Sequence, residues 1–138
     1  MLVVDASAFA SWAFPDEHGD KVSQSLVRIM TEEESASSAA IFPLEALHAA
    51  GRALARGRFT PTVHQHVLRL LSRLPVALAP LRLSPLEFWS WSQSLQLTAY
   101  DAAYLKLAVD LKAPLVTMDR NLQRACLQLD HPVITDLP

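Results

Sequence analysis

The chain carries short apolar runs that do not alternate with polar residues. Leu2-Val3-Val4 runs straight into Asp5, Leu115–Met118 runs into Asp119, and Val133–Thr135 is a third. A strand solvated on one face alternates in polarity; a strand covered on both faces does not. Between these runs lie amphipathic stretches with helical spacing. The pattern predicts an α/β fold: a parallel sheet of about five strands with helices on both faces. In such sheets ligands sit outside the carboxyl ends of the strands.

Leu2–Asp5 reads as a strand. Asp20–Glu33 reads as a helix on Val22, Leu26 and Ile29, closing in a charged turn at Glu32–Glu34. Ala36–Ala40 is a small-residue strand. A helix from Pro43 to Arg56 ends at Gly57, and Thr60 caps another that starts at Pro61. Pro75–Leu81 reads as a strand. Ser84-Pro85-Leu86-Glu87 has the form of a capping box, and Thr98-Ala99-Tyr100-Asp101 repeats it before a helix through Leu111. Leu115–Met118 and Val133–Thr135 read as buried strands flanking a short helix from near Arg120.

The 138 residues suit one domain, taken here as residues 1–138. At 51% hydrophobic and 19% charged residues, the chain can bury a core. No run approaches the roughly 20 apolar residues of a membrane span, and the N-terminus meets Asp5 too early for a signal-peptide apolar region. The expectation is a soluble, cytoplasmic protein. Cys126 is the only cysteine, which excludes an intrachain disulfide and argues against a cysteine zinc site. It reads as a small core hydrophobe. A net charge of −2 argues against strong non-specific nucleic-acid binding, while leaving room for a local basic strip.

Four carboxylates stand out. Asp5 and Asp119 follow apolar strands; Glu45 and Asp101 lie in the first turns of helices. If the sheet is parallel, strand ends and the helix starts that follow share one edge, and all four converge there. Clustered carboxylates repel and take up protons more readily unless a cation neutralises them. Mg²⁺ or Mn²⁺ suits such a site, since hard ions prefer oxygen ligands. Each residue also has a local explanation. Glu45 and Asp101 complement helix N-termini, and Asp119 caps the helix at Arg120. Asp5 has no such easy account, because an unpaired buried charge is costly. Ser7 and Thr117 place hydroxyls beside Asp5 and Asp119, either as supports for a carboxylate or as local turns.

Asp5 in "VVDAS", Glu45 in "PLEALHAAGRALARGRFT", Asp101 in "LTAYDAAYLKLA" and Asp119 in "LVTMDRNL" together resemble a PIN-domain ribonuclease. The small size resembles the VapC toxins of prokaryotic toxin–antitoxin pairs. The resemblance spans essentially the whole chain and rests on the order and spacing of the four acids. It implies a five-stranded parallel sheet, Mg²⁺ or Mn²⁺ held by the acids, and metal-dependent hydrolysis of RNA. It also implies a homodimer and inhibition by a small VapB-like antitoxin. Carried over by position, Asp5, Glu45 and Asp101 are metal ligands, Asp119 is a further acid, and Ser7 and Thr117 are polar supports. A slightly acidic net charge departs from expectation for an RNA-cutting enzyme.

Arg52 and Arg56 suggest a phosphate path. At about 100° per residue they fall roughly 20° to either side of Glu45 around the helix, with Arg58 just beyond. An ordinary solvated face reads the same way. Arg120 and Asn121 are further candidates for phosphate contact, ranked below these. His64 and His66 point to different sides of a helix, so they do not chelate one ion from it. Phe88, Trp91 and Leu95 share a helical face directed to the core; Trp89 points elsewhere, to internal packing or an interface. Rival classes are weaker. A haloacid-dehalogenase-like phosphatase wants a second Asp where Ser7 stands, and a receiver domain wants an early acidic pair. A non-catalytic PIN-like binding module remains the other alternative.

Overall fold

The computed structural model describes residues 1–138 as a single α/β domain of five strands and seven helices. Its elements are β1 (Leu2–Val4), α1 (Ala6–Ala13), α2 (Asp20–Met30), β2 (Ala36–Ala39), α3 (Phe42–Ala55), α4 (Pro61–Arg73) and β3 (Val76–Ala79). α5 (Pro85–Ser94), α6 (Ala99–Leu111), β4 (Leu115–Val116), α7 (Arg120–Gln128) and β5 (Val133–Ile134) complete it. The strand order is β3-β2-β1-β4-β5, and every neighbouring pair is parallel. The chain builds outward from β1 to β3, then crosses back to place β4 on the other side of β1. The crevice at that reversal lies beyond the carboxyl ends of β1 and β4.

Burial explains the unbroken apolar runs. Successive strand residues face opposite sides, yet Leu2, Val3 and Val4 are all buried, so helices cover both faces of β1. Leu115 and Val116 are likewise fully buried, and Phe9, Leu26, Ile29, Leu105 and Leu122 pack around them. The edge strands differ. Val133 and Ile134 are half-buried, and β3 leaves Leu78 exposed. The expectation that Val133–Thr135 is buried is thus corrected: an edge strand has a neighbour on one side only.

Several boundaries follow local chemistry. Thr60 caps α4 by accepting from the Val63 N–H at 3.3 Å, with Pro61 at the first helical position. α3 ends at Arg56, and Gly57 takes the left-handed conformation at φ 70° that closes such an end. Ser84 precedes α5 but its hydroxyl makes no capping bond, so the capping-box expectation fails there. α2 begins at Gly19, which has no side chain to cap with. Asp136 supplies the cap from a distance, accepting from the N–H groups of Lys21 and Val22 at 2.9 Å each.

α1 is the element that periodicity misses. Its sequence, ASAFASWA, is apolar or small almost all round and shows no polar stripe. Asp5 sets its start by accepting the Ala8 N–H at 2.8 Å.

Candidate active site

Asp5 sits at the centre of the crevice, directly after the middle strand, and is only 3% exposed. Its carboxylate is held by three groups. The Ala8 N–H donates to Oδ1 at 2.8 Å, the Ser7 hydroxyl donates at 2.8–2.9 Å, and the Thr117 hydroxyl donates to Oδ2 at 2.5 Å. Both hydroxyls also accept: Ser7 from the Met118 N–H at 2.8 Å, and Thr117 from the Asp119 N–H at 3.0 Å. The ends of β1 and β4 are therefore stitched together through Asp5. Asp119 in turn caps α7, accepting the Leu122 N–H at 2.9 Å.

These bonds do not fully offset burial. Desolvation pushes Asp5 up from 3.8 to about 6; the Thr117, Ala8 and Ser7 bonds oppose that rise, and the charge of Asp119 adds to it. Glu45 and Asp101 are half-buried and also raised. For Glu45 the causes are desolvation and then the charge of Asp101; for Asp101 they are desolvation and then Asp119. Each carboxylate thus feels another, and the sheet brings all four to one edge. Asp101 reaches it because Thr98 starts α6 there, accepting the Asp101 N–H at 3.1 Å. As arranged, no three of the acidic groups close on a point where they hold one ion together.

Glu45 and Asp101 line an open cleft of about 660 Å³ with Ser7, Leu44, His48 and Tyr100, while Asp5 lies beneath it. A second hollow of about 280 Å³ shares Ala10, His48 and Ala49 with the first. Arg52 and Arg56 line it, exposed and without ion pairs. Arg58 lines it too, but its charge is engaged. It pairs with Asp16 at 2.8 Å and Glu17 at 3.1 Å and lies over the Phe14 ring. Arg120 is exposed at the start of α7, beside Asp119.

The sequence matches the PIN domain family over residues 2–127. The chain belongs to that family. PIN domains are commonly nucleases and typically use divalent metals. The crystal structure of PAE2754 from Pyrobaculum aerophilum is similar to this PIN domain, at a TM-score of 0.65 and 25% identity. That likeness covers 90% of this chain and 84% of the other. No curated protein matches the sequence.

Two features of this PIN domain lie outside the sequence expectations. Asp5 is a helix cap as well as a strand end, and its spacing to Ala8 is the only sign of that. Tyr104, whose ring fills the core, brings a hydroxyl in among the carboxylates; it follows Asp101 by three residues and so shares its helix face. Phe88 and Trp91 are half-buried at the margin of the core rather than inside it, Leu95 is buried, and Trp89 is 59% exposed.

Proposed function

We propose that this PIN domain is a Mg²⁺- or Mn²⁺-dependent endoribonuclease, and that it acts as the toxin of a VapBC-type toxin–antitoxin pair. One observation carries the catalytic part: Asp5, Glu45, Asp101 and Asp119 meet at the carboxyl edge of the sheet, and each of the first three is driven toward protonation by burial. The donor set is all oxygen, with no thiolate or imidazole among it, which fits a hard divalent cation. Asp5, Glu45 and Asp101 would hold it, with Asp119 as a further acid. Such an ion, when bound, supplies charge stabilisation at the phosphate and a more acidic water.

The chain's own groups do the rest. Ser7 and Thr117 fix the orientation of Asp5. Arg52 and Arg56 offer phosphate contacts along the hollow that joins the cleft at His48. Arg120, exposed at the start of α7 beside Asp119, adds a third cation. A recessed carboxylate floor suits a looped or single-stranded RNA, whose backbone can bend into it. Exposed Leu44 and Tyr100 on the cleft wall, and Trp89 nearby, give a protein partner apolar surface beside the site. That supports inhibition by a small antitoxin. No helix is long and apolar enough to cross a membrane, and we place the homodimeric toxin in the cytoplasm.

The test is cleavage of a pool of structured RNAs by the purified chain, with Mn²⁺, with Mg²⁺ and with chelator. Metal-dependent cuts that disappear in Asp5→Asn are expected. Full activity of that variant, or no cuts with either metal, overturns the assignment. For the toxin role, expression should arrest growth, and co-expression of a neighbouring antitoxin gene should relieve the arrest.

A further inference from the structure

Two aromatic side chains near the acids lie open to solvent: Tyr100 is 64% exposed and Trp89 59%. Neither ring packs on another aromatic ring or carries a cation, whereas Phe88 and Trp91, on the same helix as Trp89, lie against each other. Tyr100 precedes Asp101 in the first turn of α6, and it lines the cleft of Glu45 and Asp101. It also lines a groove of about 370 Å³ that contains Trp89. Ile41 is the other residue that cleft and groove share, and no charged residue lines the groove.

Helix α3 gives these surfaces an order. Ile41 stands at its start, and Glu45, His48 and Arg52 follow along it. The groove meets the cleft at Ile41, and the hollow of Arg52 and Arg56 meets it at His48 and Ala49. Aromatic surface, carboxylates and free cations therefore succeed one another over about 16 Å of helix. A single-stranded nucleic acid has the matching make-up: anionic phosphates that favour the arginines, and flat bases that favour exposed rings. We propose that Tyr100, together with Trp89 in the same groove, is the stacking platform for an unpaired base next to the scissile phosphate. This rests on the ribonuclease reading above and narrows its substrate to RNA with unpaired bases at the cut, since a base inside a duplex has no free face to offer. A protein inhibitor laid on this wall takes the place of the base.

The experiment uses two short fluorescent strands: an unstructured RNA, and the same ribose–phosphate chain without bases. Their dissociation constants are measured by anisotropy, in chelator, for the full-length parent, Tyr100→Phe and Tyr100→Ala. The parent and Tyr100→Phe should bind the RNA about 10-fold more tightly than the base-free strand, and Tyr100→Ala should bind the two alike. All three proteins should share one salt slope, because no phosphate contact changes. A parent that binds both strands alike overturns the platform. A Tyr100→Ala variant that still separates them also overturns it and leaves the groove to a protein partner. Loss of the difference together with a shift from dimer to monomer in sedimentation overturns it too, because the groove would then hold a second copy of the chain. Cleavage by the parent in MnCl₂ is measured beside these. A parent that cuts no RNA overturns the nuclease reading, whichever way the strand comparison falls; one that cuts RNA but fails the comparison overturns the platform alone.

Discussion

The Thr117 hydroxyl donates to Asp5 Oδ2 at 2.5 Å, joining residues 112 positions apart across β1 and β4. The bond does two things at once. It satisfies one oxygen of a buried carboxylate, and its acceptor side orders the Asp119 backbone at 3.0 Å. Thr117→Val keeps the shape and removes both. The loss should be about 1–3 kcal/mol at pH 8, where Asp5 is charged. At pH 4.5, with Asp5 largely protonated, the loss should be smaller. Chemical denaturation at the two pH values measures it; equal losses would mean that Thr117 acts by packing alone.

Asp5 itself is held at a cost. Its pKa is about 6 in the fold against 3.8 when free, so the fold favours the protonated form. The penalty is complete above about 6 and absent below 3.8, and stability contributed by this group rises as pH falls through that window. At roughly 1.4 kcal/mol per unit, the ceiling is about 3 kcal/mol. Asp5→Asn should therefore melt higher than the parent at pH 8 when both are metal-free, and the difference should vanish near pH 4. Cleavage should be lost at every pH. A variant that melts lower at pH 8 would show that its hydrogen bonds outweigh desolvation.

The two free arginines differ from the engaged one. Arg52 and Arg56 have no carboxylate partner, whereas Arg58 is held by Asp16 and Glu17. Arg52→Glu with Arg56→Glu should weaken RNA binding and flatten its dependence on salt by about one unit of slope per lost phosphate contact. Arg58→Ala should leave that slope near the parent value. Binding titrations across a salt series decide it; an unchanged slope in the double variant would remove the path.

Gly19 owes its identity to Asp136. A Cβ added at Gly19 would lie 2.5 Å from Asp136 Oδ2, the oxygen that accepts from Val22. Gly19→Ala should push the cap aside, and Asp136→Ala should remove it, each at about 1 kcal/mol. The two together should cost less than their sum, because the clash and the cap share one carboxylate. Additive losses in thermal melts would separate the two effects.

The sheet could be read from sequence because its central strands are buried on both faces, and that leaves an unbroken apolar signature. β1 and β4 carry it; β5, at an edge, carries the same residues without the burial. α1 could not be read, since a helix packed on nearly every side shows no period. Among the acids, Glu45 and Asp101 were found by position in a first turn. The two roles of Asp5 needed the third dimension, because Ser7 and Thr117 meet only when β1 and β4 pair. Tyr104 was hidden for a related reason: one buried tyrosine on an apolar helix face looks like core until its hydroxyl has neighbours.

The span between Asp5 and Thr117 also sets an order of events during synthesis. Asp5 is made 112 positions before Thr117, and its strand lacks its β4 neighbour until Leu115 and Val116 emerge. Pairings this distant in sequence close late, because chain entropy opposes them until most other contacts exist. A nascent or truncated chain ending before β4 therefore carries the first three acids with no crevice to gather them. The acidic edge is therefore completed only once β4 has been made and has paired with β1.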